Sequence, residues 1–315
     1  MAPSSPPSLP ILDLSLADDP AQRPALLAQL HDALFNIGFL YIENHGVDAS
    51  AIADLTEKLP GLFELPTNVK AGLSKSNSPH FLGYSGFAEE TTLGKQDLRE
   101  QFDFATELPV VYRDPKSDSA SANQLSGNRD FSQLYWRLRG PNQWPPEDLL
   151  PGFRHALATY HDAVQELSYR FVGNEAGLEV LAADGKTWIP ATPVDGTFVV
   201  NFGNAFEAAT EGAVRATVHR VKAPNPTSPP RYSIPFFQGL PLDMTVSQIR
   251  SYIPEPVRRL RRDHDDAAGN PNAVSTFLDP RWDALGESQL RKWIRSHEDV
   301  GRKWYGDDVV RYYLS

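Results

Sequence analysis

The spacing of apolar positions predicts a short strand at Ile11-Leu12-Asp13-Leu14, within Pro10 to Leu16. A helix follows over Arg23 to Ile37, with Leu26, Leu27, Leu30, Ala33, Leu34 and Ile37 recurring near the 3.6-residue period. Gly38 is placed to stop it. Phe39-Leu40-Tyr41-Ile42 reads as a strand and Asn44-His45-Gly46-Val47 as a turn. Asp48 can cap a helix over Ala49 to Leu59, which Pro60-Gly61 is expected to break. Arg99 to Phe104 alternates polar and aromatic residues like a half-exposed strand, and Arg113 to Asn128 reads as a polar surface loop.

The strongest helical stripe lies within Pro146 to Phe171, where Phe153, Leu157, Tyr160, Val164, Leu167 and Phe171 share one face. After Gly173 the pattern changes to short strand-like runs split by Gly and Pro: Leu178-Glu179-Val180, Trp188-Ile189, Thr197 to Val200, Val214 to Val221, and Arg231 to Phe237. Strands at such spacing suggest a sandwich or jelly roll. Glu287 to Trp304 returns to helix, with Leu290, Trp293, Ile294 and Trp304 on one side.

Composition narrows the function classes. The chain has 315 residues, 41% of them hydrophobic, enough for a sizeable core. Cysteine is absent, which excludes disulfides, thiolate metal sites and a cysteine nucleophile. With 30 basic and 40 acidic residues the formal charge is −10, so no nucleic-acid partner is expected. The 27 prolines argue against a long helical bundle. No apolar run reaches the ~18 residues of a membrane span. The polar, proline-rich start does not read as a signal peptide, so a cytoplasmic protein is expected.

Two segments carry the candidate chemistry. Arg215-Ala216-Thr217-Val218-His219-Arg220-Val221 puts a histidine on a strand, where a neutral imidazole can serve a metal. Arg231-Tyr232-Ser233-Ile234-Pro235-Phe236-Phe237 begins twelve residues after His219. Arg231 and Ser233, two residues apart, share a strand face and can together hold one carboxylate.

These pieces, in order, resemble the iron(II)/2-oxoglutarate-dependent dioxygenase superfamily, in its isopenicillin N synthase-like branch. The amino-terminal part of the resemblance rests on Pro10 to Leu14, Gly38 to Val47, Arg99 to Phe104 and Gly140-Pro141-Asn142-Gln143-Trp144-Pro145. In the core it rests on Gly177 to Val180, Trp188-Ile189-Pro190 and Pro193 to Gly203. His219 then falls on the distal metal histidine, and Arg231-x-Ser233 on the 2-oxoglutarate carboxylate motif.

The resemblance implies a mainly β fold with α elements. Its core is a double-stranded β-helix (jelly roll, cupin-like), preceded by an α/β amino-terminal region and flanked by helices. It divides the chain into an amino-terminal dioxygenase region at 1–125, a connecting segment with a long support helix at 126–172, and the oxygenase core with a carboxy-terminal helix at 173–315. It implies Fe(II) and 2-oxoglutarate as cofactors, and O2 and a small organic substrate that is hydroxylated, desaturated or ring-closed. Phe81 to Tyr84 and Trp293-Ile294 either line a substrate pocket or pack a core.

The chain departs from the family at one place. The family's facial triad adds a His-x-Asp on a strand before the distal histidine, and on the order of fifty residues that would carry it are missing here. Val172 to Ala176 runs directly into Gly177, so the core is expected to be incomplete. His161 lies 58 residues before His219, but Ala163 stands where the acid belongs, and the residue falls in the long helix. His264-Asp265-Asp266 and His297-Glu298-Asp299 both follow His219. His45, in the amino-terminal turn, reads as a structural hydrogen-bonder, and His31, His80 and His155 read as helix-face or loop histidines. Three readings follow: an oxidoreductase of this class, a non-catalytic binding or scaffolding relative, and a mis-spliced form of an active enzyme.

Overall fold

The computed structural model describes residues 8–92, 95–116, 129–168, 178–182, 185–214, 216–222, 230–257, 259–260 and 281–315. In chain order its regular elements begin with β1 (Ile11–Asp13), α1 (Arg23–Asp32) and β2 (Phe39–Glu43). Next come α2 (Ala49–Phe63), α3 (Thr67–Gly72), β3 (Gly83–Ser85), β4 (Thr91–Thr92), β5 (Lys95–Gln96) and β6 (Gln101–Asp103). Then follow α4 (Phe153–Ser168), β7 (Leu178–Leu181), β8 (Trp188–Ala191), β9 (Phe198–Asn201), α5 (Asn204–Ala209) and β10 (His219–Val221). The chain closes with α6 (Val246–Tyr252), α7 (Leu285–Ser296), α8 (Glu298–Tyr305) and α9 (Asp307–Leu314).

Local chemistry explains most boundaries. Beyond α1 the backbone widens into an underwound turn over Ala33–Ile37, and Gly38 ends it at φ 79°. Asp48 accepts the Ser50 backbone N–H at 2.8 Å, capping α2. That helix does not stop at Pro60 as the sequence suggests. It runs on to Phe63 because the Pro60 carbonyl still accepts from Glu64 N at 3.0 Å and Leu55, Leu59 and Leu62 are buried on one face. The long helix starts at Phe153 rather than Pro146, since the segment to Gly152 turns, with Gly152 at φ 71°. Its buried stripe is Phe153, Ala156, Tyr160, Val164 and Leu167; Phe171 lies outside the described residues. The carboxy-terminal helix is three helices, broken at His297 and at Gly306 (φ 91°).

The chain forms two compact units: 1–54 with 158–239 and 247–278, and 55–157 with 240–246 and 279–315. The first holds two three-stranded sheets, in the orders β1-β2-β9 and β10-β7-β8. They meet through one apolar cluster of Phe39, Tyr41 and Val199 from one sheet and Leu178, Val180, Ile189 and Ala191 from the other. β9 and β10 are edge strands. Of Val214 to Val221, the described residues form a strand only over His219–Val221; Val214 ends a turn in which its N–H donates to Thr210 Oγ1 at 3.1 Å, and Arg215 lies outside the described residues. Arg231 to Phe237, expected as a strand, pairs with none of the described strands. Its exposure nevertheless alternates residue by residue, as a strand's does.

The second unit packs Phe81, Tyr135, Trp136, Leu290, Ile294, Val300, Tyr305 and Tyr313 into its core. Phe81 and Ile294 are fully buried there, so these positions serve packing rather than a pocket wall. The polar segment Arg113 to Asn128 is irregular over its described part, 113–116; the rest lies outside the described residues.

Candidate metal and carboxylate site

The register of the second sheet settles which way His219 faces. His219 stands opposite Val180, and Val221 opposite Leu178. Directly paired residues share a face, and Val180 and Leu178 are 1% and 3% exposed inside the sandwich. His219 and Val221 therefore belong to the inner face, yet both are exposed, Val221 to 47%. The alternate positions form the outer face. There Arg220 and Lys222 pair with Glu179 at 2.9 and 2.5 Å, and the Arg220 guanidinium lies 3.9 Å from the Trp188 ring centre. Those ion pairs hold the Glu179 carboxyl below its usual range, the Lys222 hydrogen bond contributing most.

The imidazole of His219 is held on two sides. Its Nδ1 lies 3.1 Å from the Thr217 carbonyl oxygen. Its ring meets Phe39 edge-on, with centres 5.4 Å apart. Arg231 and Ser233 are both exposed, on the same side of their unpaired segment. No hydrogen bond joins either of them to His219 among the described residues.

The side chains present fit the groups they would serve. His219 is an inward, hydrogen-bonded imidazole, which is how metal-ligating histidines are held. The Arg231–Ser233 pair offers donors suited to a carboxylate. Among the described residues no three His, Asp or Glu side chains cluster to hold a metal ion.

The other histidines have separate occupations. His161, half-buried on α4, packs against Phe236 with ring centres 5.6 Å apart. His45 Nδ1 accepts the Val47 N–H at 3.1 Å, and burial lowers its pKa. His80 Nδ1 pairs with the Arg137 carbonyl at 2.6 Å. His31 lies against Phe35, and His155 is exposed on α4. His264 lies outside the described residues.

His297 is buried in an ion cluster that its sequence context does not announce. Its Nε2 is 3.0 Å from Lys75 Nζ and 3.1 Å from Glu90 Oε1. Lys75 Nζ also lies 2.5 Å from Asp103 Oδ2, and Arg99 is 3.0 Å from Glu90. Asp299 is exposed, so the triplet from His297 to Asp299 does not converge on a ligand. Burial alone would raise the Glu90 carboxyl; the His297 and Arg99 hydrogen bonds and the Lys75 charge outweigh it and hold the group well below the usual carboxylate range.

Comparison with known proteins identifies the class. Residues 9–147 match the model of the non-haem dioxygenase in morphine synthesis N-terminal family, and residues 142–239 that of the 2OG-Fe(II) oxygenase superfamily. A 2-oxoglutarate-dependent dioxygenase, frbJ, of Dothideomycetidae sp. (strain 11243) is 32% identical over 360 aligned positions, covering 94% of this chain and 92% of the relative. A 2-oxoglutarate-dependent dioxygenase of Gibberella zeae is 26% identical over 369 positions, covering 95% and 92%. Both alignments are longer than the 315-residue chain, so at least 45 positions of the first face no residue here.

Among solved structures, a 2OG-Fe(II) oxygenase family protein from Caulobacter crescentus superimposes with a TM-score of 0.58 at 20% identity, covering 91% of this chain and 98% of its own. A full-length Neurospora crassa protein solved in complex with alpha-KG gives a TM-score of 0.51 at 17% identity, covering 70% and 80%. The chain belongs to the Fe(II)/2-oxoglutarate-dependent oxygenase superfamily, whose members are oxidoreductases built on a jelly-roll core, with Fe(II) and 2-oxoglutarate as cofactors. None of the helices in the described residues is long and apolar enough to cross a membrane.

Proposed function

We propose that His219 is the distal metal ligand of this family's iron site and that Arg231 and Ser233 hold the distal carboxylate of 2-oxoglutarate. We further propose that the chain lacks the segment, between Phe171 and Gly177, that brings the first histidine and the metal carboxylate. The substrate class is a small organic molecule, with O2 as co-substrate. The reading keeps the division at 1–125, 126–172 and 173–315.

The observation that carries it is the open inner face of β10. His219 and Val221 point into the sandwich and stay exposed, while the residues directly opposite are sealed. A sheet that ends one strand too soon gives this pattern. The unpaired but alternating Arg231–Phe237 segment, with Phe237 81% exposed, supports the same conclusion. So do the aligned positions without a residue in this chain. A run with no His-x-Asp or His-x-Glu before His219 is a fact of the sequence.

Bound iron would supply the oxidising power that removes a hydrogen atom from substrate. The residues of this chain contribute one imidazole to the metal and a cation with a hydroxyl to the cosubstrate; they complete no metal centre by themselves. Calorimetry with Mn(II) and 2-oxoglutarate tests the assignment. The chain is expected to bind 2-oxoglutarate weakly, with binding reduced by Arg231→Ala, and to form no succinate with Fe(II). Grafting the corresponding segment of the fungal relative between Phe171 and Gly177 is expected to give stoichiometric metal binding that His219→Ala abolishes. Stoichiometric iron binding and succinate formation by the ungrafted chain would overturn the reading.

A further inference from the structure

We infer that Thr217 is a positioning residue for His219: it fixes the imidazole as the Nδ1–H tautomer and leaves the lone pair on Nε2. The inference deepens the reading of His219 as a metal ligand, and its test separates the two.

The tautomer follows from hydrogen-bond chemistry. Nδ1 lies 3.1 Å from the Thr217 carbonyl oxygen, which can only accept. Nδ1 must therefore carry the proton, and in a neutral ring the lone pair then sits on Nε2. A carbonyl at the end of a loop would not hold a ring for long, but this one is anchored. The Thr217 hydroxyl donates to the Ile37 carbonyl at 2.8 Å, and the contact is partly buried. Leu181 N donates to the Val218 carbonyl at 2.9 Å, fixing the residue between Thr217 and His219.

The same hook sets the face of the ring. Ile37 leads through Gly38, at φ 79°, directly into Phe39, whose ring lies edge-on to His219 at 5.4 Å. The Thr217 hydroxyl thus joins the stretch that carries the accepting carbonyl to the stretch that carries the packing ring. The imidazole is oriented from two sides by one side-chain hydrogen bond. All of these groups lie within one compact unit. A valine at 217 keeps the shape and loses the hook; a serine keeps the hook.

The experiment is long-range 15N–1H NMR of the full chain labelled at histidine, at about pH 8, where an ordinary histidine is neutral. The His219 signals are assigned by their loss in His219→Ala. Wild type and Thr217→Ser are expected to show a protonated Nδ1 and a bare Nε2. In Thr217→Val the Nε2–H form is expected to become a major population, with the other seven histidines unmoved. If Thr217→Val fails to fold, the wild-type and Thr217→Ser spectra still decide the tautomer.

A wild-type His219 with Nε2 protonated, or a Thr217→Val spectrum identical to wild type, overturns the inference. A second arm adds Mn(II) to the chain carrying the grafted family segment between Phe171 and Gly177. Selective broadening of His219, with affinity about 10-fold weaker in Thr217→Val, as for other lost outer-shell partners, supports both the inference and the ligand reading. No broadening, with the tautomer as expected, sinks the ligand reading and leaves the positioning role standing.

Discussion

Replacing Lys75 by methionine tests the ion cluster of the second unit most sharply. Lys75 is 2% exposed, and its ammonium lies 2.5 Å from Asp103, 3.6 Å from Glu90 and 3.0 Å from His297 Nε2. Methionine fills much the same volume and removes the charge. Glu90 keeps Arg99, while Asp103 is left with a hydrogen bond from Gln101 at 3.0 Å. Removing one partner of a buried pair typically costs about 3–5 kcal/mol; because Asp103 retains some solvent access, the lower end applies, about 3 kcal/mol. For a folding unit of this size that lowers the melting temperature by roughly 6–12 °C. Tryptophan fluorescence reports it directly, since Lys75 Nζ sits 5.6 Å from the Trp293 ring centre. The double change Lys75→Met with Asp103→Asn should recover part of the loss by removing the orphaned charge. A Lys75→Met chain that melts within about 2 °C of wild type would refute the reasoning, because an Asp103 left half-buried without its cation costs more than that.

The depressed Glu90 carboxyl gives a signed pH dependence. Its folded pKa lies below the unfolded one, so its stabilisation is complete above the ordinary carboxylate range and is lost as pH falls through that range and below. Glu90→Gln should lower stability at neutral pH and flatten the acid limb of a melting-temperature profile; parallel acid limbs for the two proteins would contradict this. The open inner face makes a second prediction. Val221→Ser and Phe237→Ser should change stability by no more than about 0.5 kcal/mol and should reduce binding of a hydrophobic dye, whereas Leu178→Ala should cost about 2–5 kcal/mol. Denaturant titration decides it, and a loss above about 2 kcal/mol for Val221→Ser would mean that the face is covered.

The strands that flank glycines and prolines were legible in the sequence, because the runs at 178–181 and 188–191 alternate with an inward apolar pair each and 198–201 carries the apolar run Phe198-Val199-Val200. Helix interiors were legible too, since burial on one face produces the 3.6-residue stripe. Helix ends were less so. Pro60 is tolerated because neighbouring leucines hold its helix, and the break at His297 falls where its side chain enters a buried ion cluster whose partners are distant in sequence. Arg231 to Phe237 has a strand's pattern but no strand to pair with among the described residues, and pairing is a property of the neighbours. His219, Arg231 and Ser233 are candidates that spacing and family resemblance single out. Thr217 was not, because its role depends on a hydroxyl reaching Ile37, 180 residues earlier.

The central claim is that this chain lacks one specific block of its family's catalytic core. Sequencing the gene's transcripts across the codons for Phe171 and Gly177 tests it most directly. The account predicts a transcript carrying an in-frame segment between these codons that encodes His-x-Asp or His-x-Glu. Transcripts that all join the two codons as in this chain, together with succinate formation by the protein they encode, would contradict it.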